Sequence, residues 1–336
     1  MPSLISSVHR FDASSMPENV LNILRANPAR SNIILPHAEK VLGIQGSTPK
    51  IASDGQLWLV YSNPGASVKF ILSCTEGPMG KYPVYIIPTV PTSKLTPELL
   101  KDSMEAFCDA LLSDPDFSKR RVFSIFSVDL VAEAFAGVWE RRTNIKRIEE
   151  PYYDAIFSTC SKDTLAPAAP SPADVVTERL AVEQDAQKIA ILCEEFAATS
   201  PPFILSPDNA YKEAELLITN KQVWILEIQD SNGELDIASI VAVTRKSKDV
   251  ATITKVYTPE KWRGRRCAGR LVHHVCGELL NTYEQVALYV GVDNGARKVY
   301  GRVGFQGLTE GSPSSDGVER WLEIGFDQAE VDLGHW

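Results

Sequence analysis

The chain is predicted to be an α/β (α+β) protein of two domains, each with a mixed central sheet flanked by helices. Three observations predict this. Its 336 residues exceed a single domain of ordinary size. A proline-rich stretch near the middle, from Thr164 to Asp174, reads as a linker. Strand and helix signals also follow a similar order on its two sides, as a duplicated unit would produce.

In the first half, assigned to 1–165, helices are expected over 17–25 and 36–42, then strands over 57–62, 68–74 and 83–88. A helix over 97–112, a strand over 121–127, a helix over 130–142 and a strand over 152–158 complete it. In the second half, assigned to 172–336, a strand over 178–182 precedes helices over 185–198 and 209–219. Strands follow over 222–228, 237–244 and 250–258, the first two joined by the turn-like Asp230-Ser231-Asn232-Gly233. The helix over 267–280 stacks Leu271, Val275 and Leu279 four apart, a face that belongs on a sheet. A strand over 285–291, a helix over 294–303 and strands over 305–308 and 319–326 end the domain.

Composition removes several function classes. The 44% hydrophobic and 23% charged content is that of an ordinary globular chain. No apolar run approaches the roughly 20 residues that span a bilayer, and the first twelve residues lack a basic start with an apolar run, so a cytoplasmic or other intracellular address, the nucleus included, is expected. Six dispersed cysteines without a CxxC suit a reducing compartment. Five scattered histidines offer no metal-ligand spacing, and no metal is expected. Acidity is concentrated in the second half, where 17 basic residues face 25 acidic ones, against 17 and 18 in the first. A net charge of −9 argues against nucleic-acid or anionic-membrane binding and suits a cationic small molecule.

The segment Val256–Leu271 carries the chemistry. A strand ends at Pro259, and a short loop with Arg263, Gly264, Arg265 and Arg266 opens into a helix through Cys267, Ala268 and Gly269. Backbone N–H groups at a helix start, the helix dipole and mobile cations together favour a bulky anion such as a pyrophosphate. An exposed basic turn before an ordinary helix is the plain alternative. Neither a Walker motif nor GxGxxG is present.

Arg263–Ala268 resembles the Gln/Arg-x-x-Gly-x-Gly/Ala loop of the GNAT acyl-CoA N-acyltransferases, with Arg266 at the middle glycine. Asp293-Asn-Gly-Ala-Arg-Lys-Val-Tyr-Gly-Arg-Val-Gly-Phe305 resembles the same family's Asn-x-x-Ala-Arg-x-x-Tyr-x-x-x-Gly-Phe, with Asp293 at the leading Asn. The resemblance covers residues 172–328. It implies a splayed pair of strands with the pantetheine arm of acetyl-CoA, or of another acyl-CoA, against the backbone of Val256, Tyr257 and Thr258. It places the pyrophosphate on the amides of Gly264–Gly269 with Arg263 and its neighbours, and the amide arm or acyl end at Asp293 or Asn294.

The implied reaction is attack of a primary amine, a small molecule in preference to a protein, on the thioester carbonyl, with Tyr300 as general acid for the thiolate. Glu227, Thr254, Lys255, His273 and His274 are candidate pocket residues, and none is singled out as the base. In the first half, 88–97 joins strand to helix without glycine or arginine, and Trp139 stands where a tyrosine is needed. That half resembles a degenerate unit shaping the substrate cleft. The competing reading is a non-catalytic acyl-CoA-binding or protein-interaction module, supported by Arg266 and Asp293. Oligomeric state is not legible in the sequence.

Overall fold

A computed structural model of the protein describes residues 7–12, 15–44, 55–63, 67–168, 175–229, 232–309 and 317–335. In chain order its first half runs β1 (Ser7–Phe11), α1 (Glu18–Arg25), α2 (Pro28–Ser31), α3 (Leu35–Val41), β2 (Leu57–Ser62), β3 (Val68–Cys74), β4 (Glu76–Gly77), β5 (Gly80–Lys81), β6 (Val84–Pro88), α4 (Pro97–Leu112), β7 (Ser124–Val128), α5 (Asp129–Thr143) and β8 (Tyr153–Ser161). The second runs β9 (Val175–Leu180), α6 (Ala186–Ala198), α7 (Pro207–Thr219), β10 (Val223–Gln229), β11 (Leu235–Lys246), β12 (Val250–Tyr257), α8 (Cys267–Leu279), β13 (Gln285–Gly291), α9 (Ala296–Val303) and β14 (Glu319–Gly325).

Most elements begin and end for local reasons. Ser206 caps α7 by accepting from the Asn209 N–H, with Pro207 in the first turn where its missing N–H costs nothing. Asn144 ends α5 in the left-handed conformation that favours asparagine and glycine. Strand β1, helix α2 and the β4–β5 hairpin were not among the expected elements. The strand expected over 305–308 is a turn instead, because Gly307 sits at φ +68 and reverses the chain. Residues 169–174 of the linker and 230–231 of the turn before β11 lie outside the described residues. Among the described residues no helix is long and apolar enough to cross a membrane.

The chain divides into two compact units, one of Met1–Ala155 with Arg320–Trp336, the other Ile156–Glu319. This differs from the expected division at 165–172. The cut falls inside β8, and the segment after Glu319 joins the first unit.

The first unit's strands are ordered β1-β2-β3-β6-β7-β14, with β6 and β7 parallel and β14 antiparallel to β7 from Trp321↔Val128 to Gly325↔Ser124. The chain after β14 is held by Arg120, which donates from Nε to Asp332 Oδ1 (2.9 Å) and from Nη2 to the Val331 carbonyl (3.3 Å). Trp58, Phe70, Phe107, Phe126, Phe135, Trp139 and Trp321 fill the core.

The second unit is ordered β8-β13-β12-β11-β10-β9. Alternation along β11 sends Val241 and Val243 to one face, with Leu271, Val272 and Val275 of α8. Ile240 and Ala242 go to the other, with Ile189 and Cys193 of α6 and Ala214 and Leu217 of α7. Gln306 ties in β8 by donating from its N–H to the Thr159 carbonyl and accepting at its own carbonyl from Ser158 Oγ.

Each half of the sequence therefore contributes its last strand, in whole or in part, to the unit built mainly from the other half. Separately expressed fragments 1–165 and 172–336 should each lack a strand beside a buried neighbour, β14 next to β7 in one and β8 next to β13 in the other. Neither should show a cooperative thermal transition by calorimetry, and mixing or co-expressing the two should restore one.

Glu323 on β14 is fully buried, and among the described residues its one hydrogen bond is donated by Ser124 Oγ to Oε1 (2.7 Å), leaving Oε2 without a partner there. Burial pushes its carboxyl up to about 8. Since the folded value lies above the unfolded one, the stability this group contributes is complete below about pH 4.5 and is lost as pH rises through about 8, at up to about 1.4 kcal/mol per pH unit. The unfolding temperature should fall more steeply between pH 5 and 8 in the natural protein than in Glu323→Gln, as read by a pH series of melts.

Candidate functional site

The site begins with a defect in strand pairing. On β11, Ala242 faces Lys255 and Val243 faces Ile253, so Thr254 is an extra residue in β12. Val243 and Arg245 face Ile253 and Thr252, so Thr244 is extra in β11. The two threonines are hydrogen-bonded through their hydroxyls (3.0 Å), and Thr254 Oγ1 also reaches the Ala242 carbonyl (3.4 Å). A bulge increases local twist and bends its strand.

The other edge of β12 shows the result. Its parallel register with β13 runs from Val250↔Gln285 to Ile253↔Leu288 and stops one residue before the bulge, although β12 continues to Tyr257 and β13 to Gly291. Beyond Ile253 the two strands present backbone edges that do not pair with each other. An extended chain with amide groups could lie there as an added strand.

At the open end, Ser239 Oγ donates to the Tyr257 carbonyl (3.1 Å) and lies 3.0 Å from Thr258 Oγ1. Arg263 Nε donates to the Thr258 carbonyl (3.1 Å), with its guanidinium 5.9 Å from the Tyr257 ring centre. Burial raises the Tyr257 phenol above its ordinary value. The loop then folds over Trp262, a buried ring whose Nε1 donates to Asp236 Oδ2 (2.7 Å) and which the Arg265 guanidinium covers at 4.9 Å. Cys267 is buried beneath the loop, its thiol directed at the Trp262 carbonyl.

Gly264 has φ +76 and Arg266 φ +63, so the loop makes two left-handed turns before the helix. Arg266 thus adopts the conformation that a glycine would hold at lower cost. As the residue preceding α8 it provides no side-chain cap, and among the described residues the amides of Ala268 and Gly269 have no acceptor. Arg263, Arg265 and Arg266 are exposed around them. Arg270 is committed to Glu178 (2.7 Å). Gly269 is part-buried, and a Cβ there would stand 3.0 Å from Val299 Cγ1, so its small size lets α8 approach α9.

Tyr300 lies on α9 in the core on the α8 face, edge-on to Phe305 at 6.1 Å, and burial raises its phenol above the ordinary value. Its hydroxyl has no protein partner among the described residues, nor is it one of their sealed polar atoms. Asp293 is exposed, whereas Asn294 uses its side-chain carbonyl to accept from the Ala296 N–H (2.9 Å) at the start of α9. The candidate bases have other partners. Glu227 forms a two-point pair with Arg179 (2.9 and 3.0 Å), and His273 Nε2 lies 2.7 Å from the Ala166 carbonyl. His274 Nε2 comes within 3.1 Å of Glu278 Oε1 without hydrogen-bond geometry, and Lys255 pairs with Glu213. Thr254 is part of the bulge.

The corresponding place in the first unit is filled by its own atoms. The β6–β7 register is Val84↔Ile125 and Tyr85↔Phe126, after which Ser127 Oγ donates across to the Ile86 carbonyl (2.5 Å). Thr96 caps α4 by accepting from the Leu99 N–H (3.2 Å), and Pro97 removes another donor. Trp139 stacks on Phe135 at 5.9 Å, fully buried.

No family profile and no curated protein matches the chain. Among solved structures it is similar to a GCN5-related N-acetyltransferase from Sphaerobacter thermophilus, at 15% identity and TM-score 0.53 over 99% of this chain and 98% of that one. It is similar to a tandem GNAT protein from the clavulanic acid biosynthesis pathway, at 12% and 0.52 over 95% and 98%. It also resembles a Drosophila protein, at 12% and 0.62 over 94% and 98%. At these identities the likeness is one of fold, and the chain has the GNAT fold along nearly its whole length.

Arg266→Gly should relieve the left-handed strain, raising unfolding free energy by about 1 kcal/mol. Thermal melts of the natural protein and the variant check this.

Proposed function

We propose that the protein is an acyl-CoA-dependent N-acyltransferase that binds acetyl-CoA, or a related acyl-CoA, in its second unit and transfers the acyl group to a small primary amine. One observation carries this reading: the unpaired edge of β12 beyond the Thr254 bulge leads straight into a basic loop and an uncapped helix start. An amide-rich arm ending in a diphosphate matches that sequence of an extended strand edge followed by convergent N–H donors and cations. The diphosphate is assigned to the amides of Ala268 and Gly269 with Arg263, Arg265 and Arg266, and the arm to the backbone from Val256 to Thr258. Asp293 remains available to the cofactor, while Asn294 is committed to shaping the start of α9.

In the reaction a neutral amine attacks the thioester carbonyl, the new C–N bond forms and the C–S bond breaks; the thiolate takes a proton from its donor while the nitrogen gives one up to water, which restores the donor and leaves no net proton consumed. Tyr300 is the proposed donor of that proton. Its phenol is protonated at neutral pH, burial raising it further, and its hydroxyl has no protein partner among the described residues. The first unit, with its strand gap bridged by Ser127 and its helix start capped by Thr96, is proposed to bind no second cofactor.

A thiol-release assay with acetyl-CoA and a panel of primary amines tests the activity, and calorimetry should give one CoA per chain. Tyr300→Phe keeps the ring's packing and should lower turnover about 10²-fold or more while acetyl-CoA affinity changes little. Natural turnover in that variant would remove Tyr300 from the mechanism.

A further inference from the structure

Across the sheet from Tyr300, three elements bring titratable side chains together. Lys255, the first residue of β12 after the bulge, pairs in register with Ala242 and points to the α6–α7 face. Its Nζ lies 2.6 Å from Glu213 Oε2 of α7 and 5.0 Å from the Phe196 ring centre of α6. Lys255 is 9% exposed, and the Glu213 side chain 14%. The buried Cys193 thiol of α6 interacts with both, and burial pushes it up to about 12, so it remains protonated. Phe196 packs edge-on against Tyr257 at 6.3 Å, which continues this wall to the end of β12.

The pair lies beside the point where β12 leaves β13. On the proposed reading, an acyl-CoA running from the α8 loop up the gap would bring its thioester toward that apex. Tyr300 lies on the α8 face and Lys255 with Glu213 on the other, so the leaving group and the incoming amine would meet opposite faces of the sheet. Lys255 occupies only one carboxylate oxygen. Besides Lys255, the carboxylate meets the Cys193 thiol, and its side chain keeps 14% of its surface open. A buried ion pair held by a single contact is a poor source of stability, because desolvation offsets most of the attraction. A carboxylate fixed by a lysine and still part-exposed at the end of the gap suits the receipt of an ammonium group.

We propose that Glu213 is the residue that recognises the acceptor amine as its ammonium ion, which gives its extra proton to water before the neutral amine attacks, with Lys255 positioning the carboxylate. This rests on the acyltransferase reading for the place of the thioester, although amine binding can be measured without it. The fitting acceptor is therefore a small amine that binds through its ammonium group.

The test is calorimetric titration of the full chain with n-butylamine, benzylamine and putrescine, with and without CoA. It uses the natural protein, Glu213→Gln, Glu213→Asp and the double variant Glu213→Gln/Lys255→Met. Glu213→Gln should weaken amine binding about tenfold or more with CoA affinity unchanged, and in turnover should raise amine KM more than it lowers kcat. Glu213→Asp should retain part of the affinity. The double variant should recover any lost thermal stability without recovering amine binding, which a merely structural pair would not do. The inference is overturned if a folded Glu213→Gln binds the amines as the natural protein does, if the double variant restores stability and affinity together, or if the natural protein binds none of the three. Amine binding that depends on Glu213 in a protein that binds no CoA and releases no thiol would sink the acyltransferase reading alone.

Discussion

The second unit depends on how β12 satisfies its backbone. Along β11 it is paired to its end, with the two extra threonines absorbing the change of register. Along β13 it is paired only to Ile253. Main-chain N–H and C=O groups withdrawn from water need partners, and a stretch that has them on one side only is tolerable where solvent or a ligand supplies the rest. The bulge thus converts part of a sheet interior into an edge. It also changes which face the following side chains meet, so that Lys255 and Tyr257 point toward α6 and α7.

The two units show how similar architecture can be open or closed to a ligand. Both have a short parallel pairing followed by a helix. In the first, a serine hydroxyl bridges the separating strands, a threonine caps the helix and a proline removes a donor. In the second, the residue preceding the helix is an arginine in a left-handed conformation with no capping bond. Capping stabilises a helix by roughly 1 kcal/mol, so an uncapped start beside three exposed arginines has forgone local stability that a bound anion could supply. The strain at Arg266 acts in the same direction.

Strand β14 adds a global constraint. It completes the first unit though it comes from the end of the chain, and it introduces a buried carboxyl with one oxygen unpaired. The docked strand is held by backbone pairing, by Trp321 in the core and by the Arg120 contacts that follow. Glu323 opposes that docking increasingly as pH rises, which makes it an exception within an otherwise apolar layer.

Much of this was legible in the residues. Apolar periodicity located α4, α5, α6 and α8 to within a few residues, because each buries one stripe on a sheet. The glycine-arginine loop stood out because it carries two left-handed residues, Gly264 and Arg266, directly before a helix start. Short elements were not legible: β1 carries His9 and Arg10 and gains its order only by pairing with β2, and the Gly307 turn was hidden in an apolar run. Nor did any local signal distinguish Thr254 as the bulge residue, since a threonine suits a regular strand equally well. What the sequence by itself determined was the succession of the longer elements, the glycine-arginine loop before α8 and the place of Tyr300 on α9, all set by neighbours within a few residues. Only the tertiary structure decided that β12 parts from β13, that Lys255 meets Glu213 forty-two residues away, and that β14 lies beside β7. Those outcomes depend on which distant backbone edge and which opposite charge become available when the chain closes on itself, and no local pattern encodes that choice.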